Sequence, residues 1–568
     1  MNIGENQLTV NFALIREQFP DLLSSALYRE GGITAYQLQL PTFEEGRGFK
    51  WAELRLPAEF PVCAKAFIQL SPDAVLRLPH LDSAGVLCME GDPGPGSGHS
   101  SEERVLYLLN AYLEKFLKPW LNGSLDGAFE AETLNYWAIE VARARSQYDP
   151  VREVWTLDPP PKKAMIRSGL LLTPNRIVVA ADEALRITNR VVQSVGAEQR
   201  TAVLIADVPI SYVLTPNTWP KSMGDLERIL KGRLLPADYS KFQVHRSRRG
   251  REIHRVVLLR NAEIAFAYLL PGGPPTVRDI GKGKGKRKKS FPSLSKVLPL
   301  STSRLDPNWT AGRDQHPEVD RRQAKHVLVL GAGALGSPIV DHLAKAGVGR
   351  ISLVDADTMS PANVGRHLLG AESIGESKAC AVAKRVNLAF PSTEVAPHFK
   401  NTAAWLKENS LAEVHAVLDL TGEPDVRVQI ENARQKHPCP LLVGWMEPYV
   451  AAAHACSLPS GKLWLQGAID PLYSLQAVVW PDEVIQQEPG CSSRFQSYTA
   501  AAAEHAVALV AECALEMIDA SVESILPRVR SWVRGQLYLD KHWPGLKHNE
   551  WASVASEFEG LTLTRPFP

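Results

Sequence analysis

The sequence predicts a multidomain protein of mixed α/β and α+β class: an α+β unit at the amino terminus, a β-rich linking domain, and a doubly wound, mostly parallel sheet toward the carboxyl terminus. Length is the first reason, because 568 residues at roughly 100–200 per domain give about three or four units, each able to bury a core without disulfide or metal staples. The second is the order of apolar patterning, which runs helix, strands, helices, then β-branched runs, then a regular alternation of strands and helices. A third is the punctuation between these regions, Pro-rich at 157–164 and Gly/Lys-rich at 274–290. Charge is balanced, 63 Lys+Arg against 62 Asp+Glu, which excludes a whole-chain electrostatic footprint for nucleic acid or an anionic membrane. No run reaches about 18 uninterrupted apolar residues, and the opening MNIGENQLTV has neither a basic leader nor an apolar core. The expectation is a cytoplasmic protein with no membrane partner and no specific nucleic-acid partner.

Residues 1–150 begin with an amphipathic stretch over 12–28, read as a helix. Strand-like runs follow at 36–40, 51–56 and 66–70, then the irregular loop LPHLDSAGVLCMEGDPGPGSGHS and helical runs at 102–120 and 129–144. Consecutive prolines at 159–161 remove backbone donors and favour extended chain, so the first boundary is expected there. Between 165 and 300, β-branched runs at 176–180, 202–205, 255–259 and 263–268 alternate with polar connectors and carry no catalytic motif. The Lys-rich run near the end of this domain reads as a solvated loop or, alternatively, as an anion-binding patch. Residues 315–568 form the third domain.

Seven cysteines stand at 63, 88, 380, 439, 456, 491 and 513. They are odd in number, scattered, and include no CxxC pair, so neither a disulfide framework nor a zinc ribbon is expected. Each is then a buried apolar group or a reactive thiol. Cys380, Cys439, Cys456 and Cys513 lie in apolar helix or strand contexts, and Cys63 in a strand-like run; these five read as core. Cys491, in a polar Gly/Ser loop before a long helical run, reads as accessible, while Cys88, in a Gly-containing loop, is either a reactive thiol or a buried cysteine beside Val86 and Leu87.

The most informative segment is KHVLVLGAGALGSPIVDHLAKAGVGRISLVDAD. A β-branched strand runs into Gly331-x-Gly333-x-x-Gly336, then a helix, a glycine turn, and a second strand ending at Asp355. Glycines there permit a tight turn and close approach of phosphate to helix-terminal N–H groups, while an acid about 20 residues on accepts from ribose hydroxyls. Dinucleotide enzymes share this pattern, but Asp357, Asn363, Arg366 and Lys378 follow at the carboxyl edge of the sheet. Hydride transfer has no use for such a cluster, whereas cleavage of ATP does, because charge builds on the phosphates and on departing pyrophosphate. A further strand ends in Asp419, suitably placed to hold Mg²⁺ on those phosphates.

GAGALGS, VDAD, NVGR, GESKA and LDLTGEPDVR together resemble the Rossmann-like adenylation domain of ubiquitin-activating enzymes and their bacterial relatives in thiamine and molybdopterin biosynthesis, over about residues 315–520. By that resemblance Asp355 binds the ribose, Asn363, Arg366 and Lys378 the phosphates, and Asp419 the magnesium. It also implies a reaction in which a protein C-terminal carboxylate attacks the α-phosphate of ATP and forms an acyl-adenylate, and it implies a homodimer. His367 departs from the family's usual Gln, and the paired CxxC zinc site is missing. Arg313 or Arg321 stands where an upstream arginine reaches a partner's nucleotide.

An acyl-adenylate is an activated carboxylate that a thiolate captures as a thioester. The loop around Cys491 resembles the catalytic-cysteine loop of activating enzymes. FPVCAKAFIQLSPDAVLRLPHLDSAGVLCMEGD resembles ubiquitin-conjugating enzymes over about residues 8–148, which makes Cys88 a second catalytic thiol. The His-Pro-Asn signature of those enzymes is absent; Leu78-Pro79-His80 stands near its place, and His80 and His99 flank the Cys88 loop as candidate bases. This domain order is similar to bacterial antiphage fusions, including those of cyclic-oligonucleotide-based signalling. The implied partners are a protein with a free C-terminus, either a cyclic nucleotide synthase or a ubiquitin-like protein, and an amine acceptor. Two other readings stand beside it: a sulfur-carrier adenylyltransferase of cofactor biosynthesis, which leaves the Cys88 domain without a task, and a nonenzymatic nucleotide-sensing scaffold.

Overall fold

The computed structural model describes residues 10–30, 32–42, 48–88, 91–125, 127–145, 149–180, 185–243, 254–270, 297–465, 470–484, 486–487, 494–495 and 498–568. Cys491 and the basic run 274–290 lie outside these residues. The chain divides into two compact units, one of residues 1–182 and 199–303 and one of residues 183–198 and 304–568. No helix among the described residues is long and apolar enough to cross a membrane.

In the first unit an antiparallel sheet in the order β1-β2-β3-β4 comprises β1 (Leu23–Glu30), β2 (Ile33–Leu38), β3 (Ala52–Pro57) and β4 (Phe67–Leu70). The amphipathic stretch over 12–28 is not one helix. The helix spans Phe12–Gln18 and stops there, because Pro20 disfavours helical backbone at Phe19 and β1 begins at Leu23. Alternating residues of β3, Ala52, Leu54 and Leu56, are buried against the helix Ser101–Tyr112, which a Ser100/Glu103 capping box starts. A second helix, Thr133–Ala144, follows.

The β-rich region is a closed seven-stranded barrel in the order β10-β11-β5-β7-β6-β8-β9. Its strands are β5 (Glu153–Thr156), β6 (Met165–Thr173), β7 (Ile177–Ala180), β8 (Gln199–Pro209), β9 (His254–Arg260), β10 (Ala265–Leu270) and β11 (Leu298–Arg304). The Pro-rich step, where a domain boundary was expected, lies within the barrel as the connection from β5 to β6. Asp207, fully buried, ties three strands together by accepting from Arg260 at 2.7 and 2.9 Å and from Arg167 at 3.0 Å. Helix Leu185–Ser194 is inserted between β7 and β8 in the chain yet folds with the second unit, where Arg190 donates to the Thr393 carbonyl at 2.9 Å.

The second unit is built on an eight-stranded sheet in the order β14-β13-β12-β15-β16-β17-β20-β21. Five strands are parallel: β12 (His326–Leu330), β13 (Arg350–Val354), β14 (Glu394–His398), β15 (Ala416–Asp419) and β16 (Leu441–Met446). β12, β13, β15 and β16 are buried on both faces and read as apolar runs such as HVLVL and AVLD, as central parallel strands do, whereas β14 at the edge buries only Val395. Antiparallel β17 (Ala452–Leu458), β20 (Arg528–Arg534) and β21 (Gly560–Pro566) extend one edge, and a separate two-residue pair is formed by β18 (Gln486–Gln487) and β19 (Arg494–Phe495). Strand order reverses at β12: the chain proceeds to β13 and β14 on one side, then returns to β15 on the other. The carboxyl ends of β12 and β15 therefore meet at a topological switch point, where such sheets open a crevice.

Candidate functional site

The crevice at that switch point encloses about 280 Å³. Its walls include Gly331, Gly333, Asp355, Asp357, Lys378 and Thr421. The three glycines act differently. Gly331 has φ +90°, and a Cβ there would sit 3.1 Å from the Leu420 carbonyl; at Gly336 a Cβ would lie 1.9 Å from the Gly331 oxygen. At Gly333 a Cβ would meet no protein atom within 4 Å. That open space is the cradle a phosphate needs against the N–H groups before helix Gly336–Lys345.

Asp355 follows β13 and anchors the glycine loop. One carboxylate oxygen accepts from the Ala332 N–H at 2.6 Å and the other from the Asp357 N–H at 2.7 Å. Lys378 opens helix Lys378–Ala389, a position where the helix dipole disfavours a cation. Only 8% exposed, it donates to the Asp357 carboxylate at 2.8 Å. Asp419 ends β15 and is 1% exposed. Its Oδ1 accepts from the Thr421 hydroxyl at 2.6 Å and the Thr421 N–H at 3.1 Å, whereas its Oδ2 has no donor. Burial pushes its carboxyl above the usual range; the Thr421 bonds and Arg427 act the other way, and Asp470 adds to the rise.

Asp419 lies outside the crevice wall, although its neighbours Leu420 and Thr421 belong to it; its orphaned, buried carboxylate oxygen fits a divalent cation, which would remove the cost of leaving it unpaired. Magnesium commonly uses one or two protein carboxylates and takes its other ligands from phosphate and water.

Two predicted phosphate ligands lie outside the crevice wall. Asn363 turns its Oδ1 to the Ser360 N–H and hydroxyl, both at 3.0 Å, and Arg366 rests over the Tyr498 ring, 5.4 Å from its centroid. Arg313, at the end of helix Pro307–Gly312, and Arg321 are exposed and also outside the wall. His367 proves to be part of the loop's support. Its Nδ1 accepts from the Leu369 N–H at 3.1 Å, which leaves Nε2 to donate to the Ala332 carbonyl at 2.5 Å. Burial holds this histidine below the usual range. A neutral imidazole in that tautomer offers one donor and one acceptor, the same pair a Gln amide offers.

In the first unit Cys88 is exposed, and its N–H donates to the His80 carbonyl at 2.8 Å. Burial pushes its thiol up, and the Asp82 and Glu132 carboxylates push it further. His80 adopts φ +64°. Its imidazole Nδ1 lies 3.3 Å from Glu132 Oε1, and its N–H donates to the Tyr136 hydroxyl at 2.7 Å, which in turn donates to Glu132 Oε2 at 2.8 Å. His99 is exposed, edge-on to Tyr107 at 5.0 Å. Beyond the loop, buried Asp92 is paired with Arg104 at 2.7 and 2.9 Å and accepts from the Ala66 and Gly94 N–H groups.

Two thiols read as core are not. Cys63 lies in a turn after β3 and is exposed, because the apolar run it belongs to becomes a strand only at Phe67. Cys380 is exposed on the outer face of helix Lys378–Ala389. Cys439, Cys456 and Cys513 are buried, with the first and last pushed up to about 11 by burial. Sequence reading missed Glu132, Tyr136 and Thr421. The first two carried one signal, their spacing of four within the helical run expected over 129–144, and nothing in the sequence linked them to Cys88.

Residues 313–454 match the model of the ThiF family, a span that includes the whole crevice. A curated relative, the ATP-dependent ubiquitin transferase-like protein Cap2 of Pseudomonas aeruginosa, is 28% identical over 234 residues, 39% of this chain and 41% of the relative. Its namesake in Enterobacter hormaechei is 32% identical over 124 residues, 21% of this chain and 20% of the relative. The match thus spans about two fifths of the first relative's length and one fifth of the second's. Among solved structures, E. coli MccB with ATP matches 38% of this chain and 61% of that one, at 17% identity and a TM-score of 0.30. The resemblance of the second unit to adenylation domains of the ubiquitin-activating type, read from its motifs, is borne out by the family match.

Proposed function

We propose that this chain activates the terminal carboxylate of a protein with ATP, holds it as a thioester first on Cys491 and then on Cys88, and transfers it to an amine of a target. The observation that carries the reading is the meeting, at one switch point, of the Gly333 cradle, the Lys378–Asp357 pair and the unpartnered oxygen of Asp419. In this reading Asp355 binds the ribose and the glycine-loop N–H groups the phosphates. Lys378, Asn363 and Arg366, the last leaving Tyr498, take up the charge of the departing pyrophosphate. Asp419, with Thr421 beside it, would hold Mg²⁺, which neutralises phosphate charge. The carboxylate oxygen attacks the α-phosphate and pyrophosphate leaves; the Cys491 thiolate then displaces AMP, and Cys88 receives the acyl group by thiol exchange.

The names of the Cap2 relatives favour transfer between proteins over sulfur delivery to a cofactor. A cyclic nucleotide synthase or a ubiquitin-like protein is the substrate, in antiphage defence. The chain acts as a homodimer in the cytoplasm, with exposed Arg313 or Arg321 of one copy reaching the other's nucleotide. ATP–pyrophosphate exchange in the presence of a protein ending in Gly or Ala tests the first step. Exchange that Asp419→Ala and Arg366→Ala both leave at full rate would overturn the assignment.

A further inference from the structure

A second cavity, of about 380 Å³ against about 280 Å³ for the nucleotide crevice, opens in the second unit between helix Thr402–Glu408 and helix Pro424–Lys436. Both helices begin at the crevice, whose wall includes Thr402, Glu423 and Val426, and both line the second cavity with their later turns. Its volume is that of a small-molecule site. Leu406 and Leu411 give it an apolar surface, Lys407, Lys436 and His437 stand around it, and no carboxylate lines it. Among the described residues neither lysine forms an ion pair, and the acids nearest in sequence are already held, Glu408 by Lys400 and Glu431 by Arg434. A lysine in the last turn of a helix commonly offsets the helix dipole. Two helix ends together carry about one negative charge at most, which two ammonium groups exceed before His437 is counted. Gln429 supplies an independent observation: it lines the cavity, its Oε1 is buried, and no described residue donates to it. A buried amide oxygen left unpaired is costly, so a donor that reaches it from the cavity is strongly favoured.

We propose that this cavity binds a small phosphate monoester whose apolar body carries a hydroxyl, with Lys407 and Lys436 on the phosphate, Leu406 and Leu411 against the body, and Gln429 on the hydroxyl. A phosphate monoester is close to dianionic at neutral pH and answers two ammonium groups, whereas a carboxylate answers one. A hydroxyl both donates and accepts, so it serves the Gln429 amide in either orientation. Gln429 and Lys436 stand two turns apart on one helix, about 10 Å along its axis. A ring with phosphate and hydroxyl at opposite ends, together with the reach of a lysine, spans that gap. The site is separate from the ATP reaction and does not depend on it.

The probe is 4-hydroxyphenyl phosphate, titrated calorimetrically into the full chain at physiological salt, with and without Mg²⁺ and α,β-methylene-ATP. Binding at a single site is expected, about tenfold or more tighter than inorganic phosphate or 4-hydroxybenzoate, and unchanged by the nucleotide analogue. Lys407→Gln and Lys436→Gln are each expected to weaken it by about tenfold, as for one lost charge-assisted bond. Gln429→Met keeps the side chain's length and removes its polar atoms. It is expected to lower the affinity to that of phenyl phosphate while leaving phenyl phosphate binding unchanged. Binding no tighter than inorganic phosphate, or equal to the parent's in both lysine variants, overturns the proposal in favour of plain attraction to surface charge. Displacement by the nucleotide analogue overturns it in favour of the crevice, and equal binding of 4-hydroxybenzoate overturns the phosphate class.

Discussion

The nucleotide crevice and the Cys88 site solve the placement of reactive groups in opposite ways. At the crevice Gly331, Asp355 and Asp419 stand at the ends of parallel strands and Lys378 at the start of a helix, so topology alone brings these four to one edge of the sheet. The Cys88 site is a loop, and its partners come from a helix much later in the chain. At the crevice Lys378 is buried against an exposed Asp357 and Asp419 is nearly inaccessible behind the wall, while Cys88 is exposed. A buried, preorganised site suits charge development on phosphate. An exposed thiol suits a group that must meet one macromolecule and then another.

The largest effect expected follows from that division. Cys88→Ala should abolish conjugates while leaving pyrophosphate exchange at the parental rate, measured on one preparation. Loss of exchange as well would mean that the two sites are not separable. Next, Asp419→Ala should lower exchange by about 10²–10³-fold, the usual loss for one preorganised electrostatic group. Asp419→Asn should be as inactive but melt no lower than the parent at neutral pH without Mg-ATP. The sign follows from burial, which raises this carboxyl: the stability it contributes is present below the ordinary carboxylate range and is lost as pH rises through its raised value. A variant that cannot ionise escapes that loss. A large drop in melting temperature would instead make Asp419 structural.

Glycines sharpen the contrast within the crevice. Gly333→Ala should raise the KM for ATP by about tenfold, as for one lost backbone contact, with an unchanged melting temperature, because its Cβ meets only space. Gly336→Ala should fail to fold, since its Cβ collides with the Gly331 carbonyl. Equal behaviour of the two would remove the argument that Gly333 faces a ligand. The smallest effect belongs to the other site. Cys88 should alkylate slowly with iodoacetamide at neutral pH, with a rate still rising past pH 9, because burial and two carboxylates hold the thiol above its ordinary range. Glu132→Gln should modestly speed that alkylation, because it removes one of the two carboxylates that raise the thiol.

The same difference explains what was legible in the sequence. In a doubly wound sheet the residue after each strand is a residue of the site, so Gly331, Asp355 and Asp419 were readable from strand ends alone. Asn363 and Arg366 are phosphate ligands by the family resemblance, and in this structure Asn363 accepts within its own turn and Arg366 rests over Tyr498. Residue type and position do not fix a rotamer. The role of His367 was hidden because its tautomer depends on the Leu369 N–H and the Ala332 carbonyl, which only the folded loop brings together. Around Cys88 the loop was visible, but the link to Glu132 and Tyr136 is a tertiary contact with no local pattern. The first helix was overextended because apolar spacing continued past Pro20 into β1, where tertiary pairing decides the backbone.

The central claim, that one chain activates a carboxylate and relays it to Cys88, is tested most directly by nonreducing electrophoresis with Mg-ATP and a protein ending in Gly or Ala. An ATP-dependent, reductant-sensitive adduct is expected on Cys88 that disappears in Cys491→Ala although pyrophosphate exchange persists, and an adduct is expected to accumulate on Cys491 in Cys88→Ala. Conjugation at the parental rate by Cys88→Ala would contradict it and leave the sulfur-carrier adenylyltransferase as the better reading.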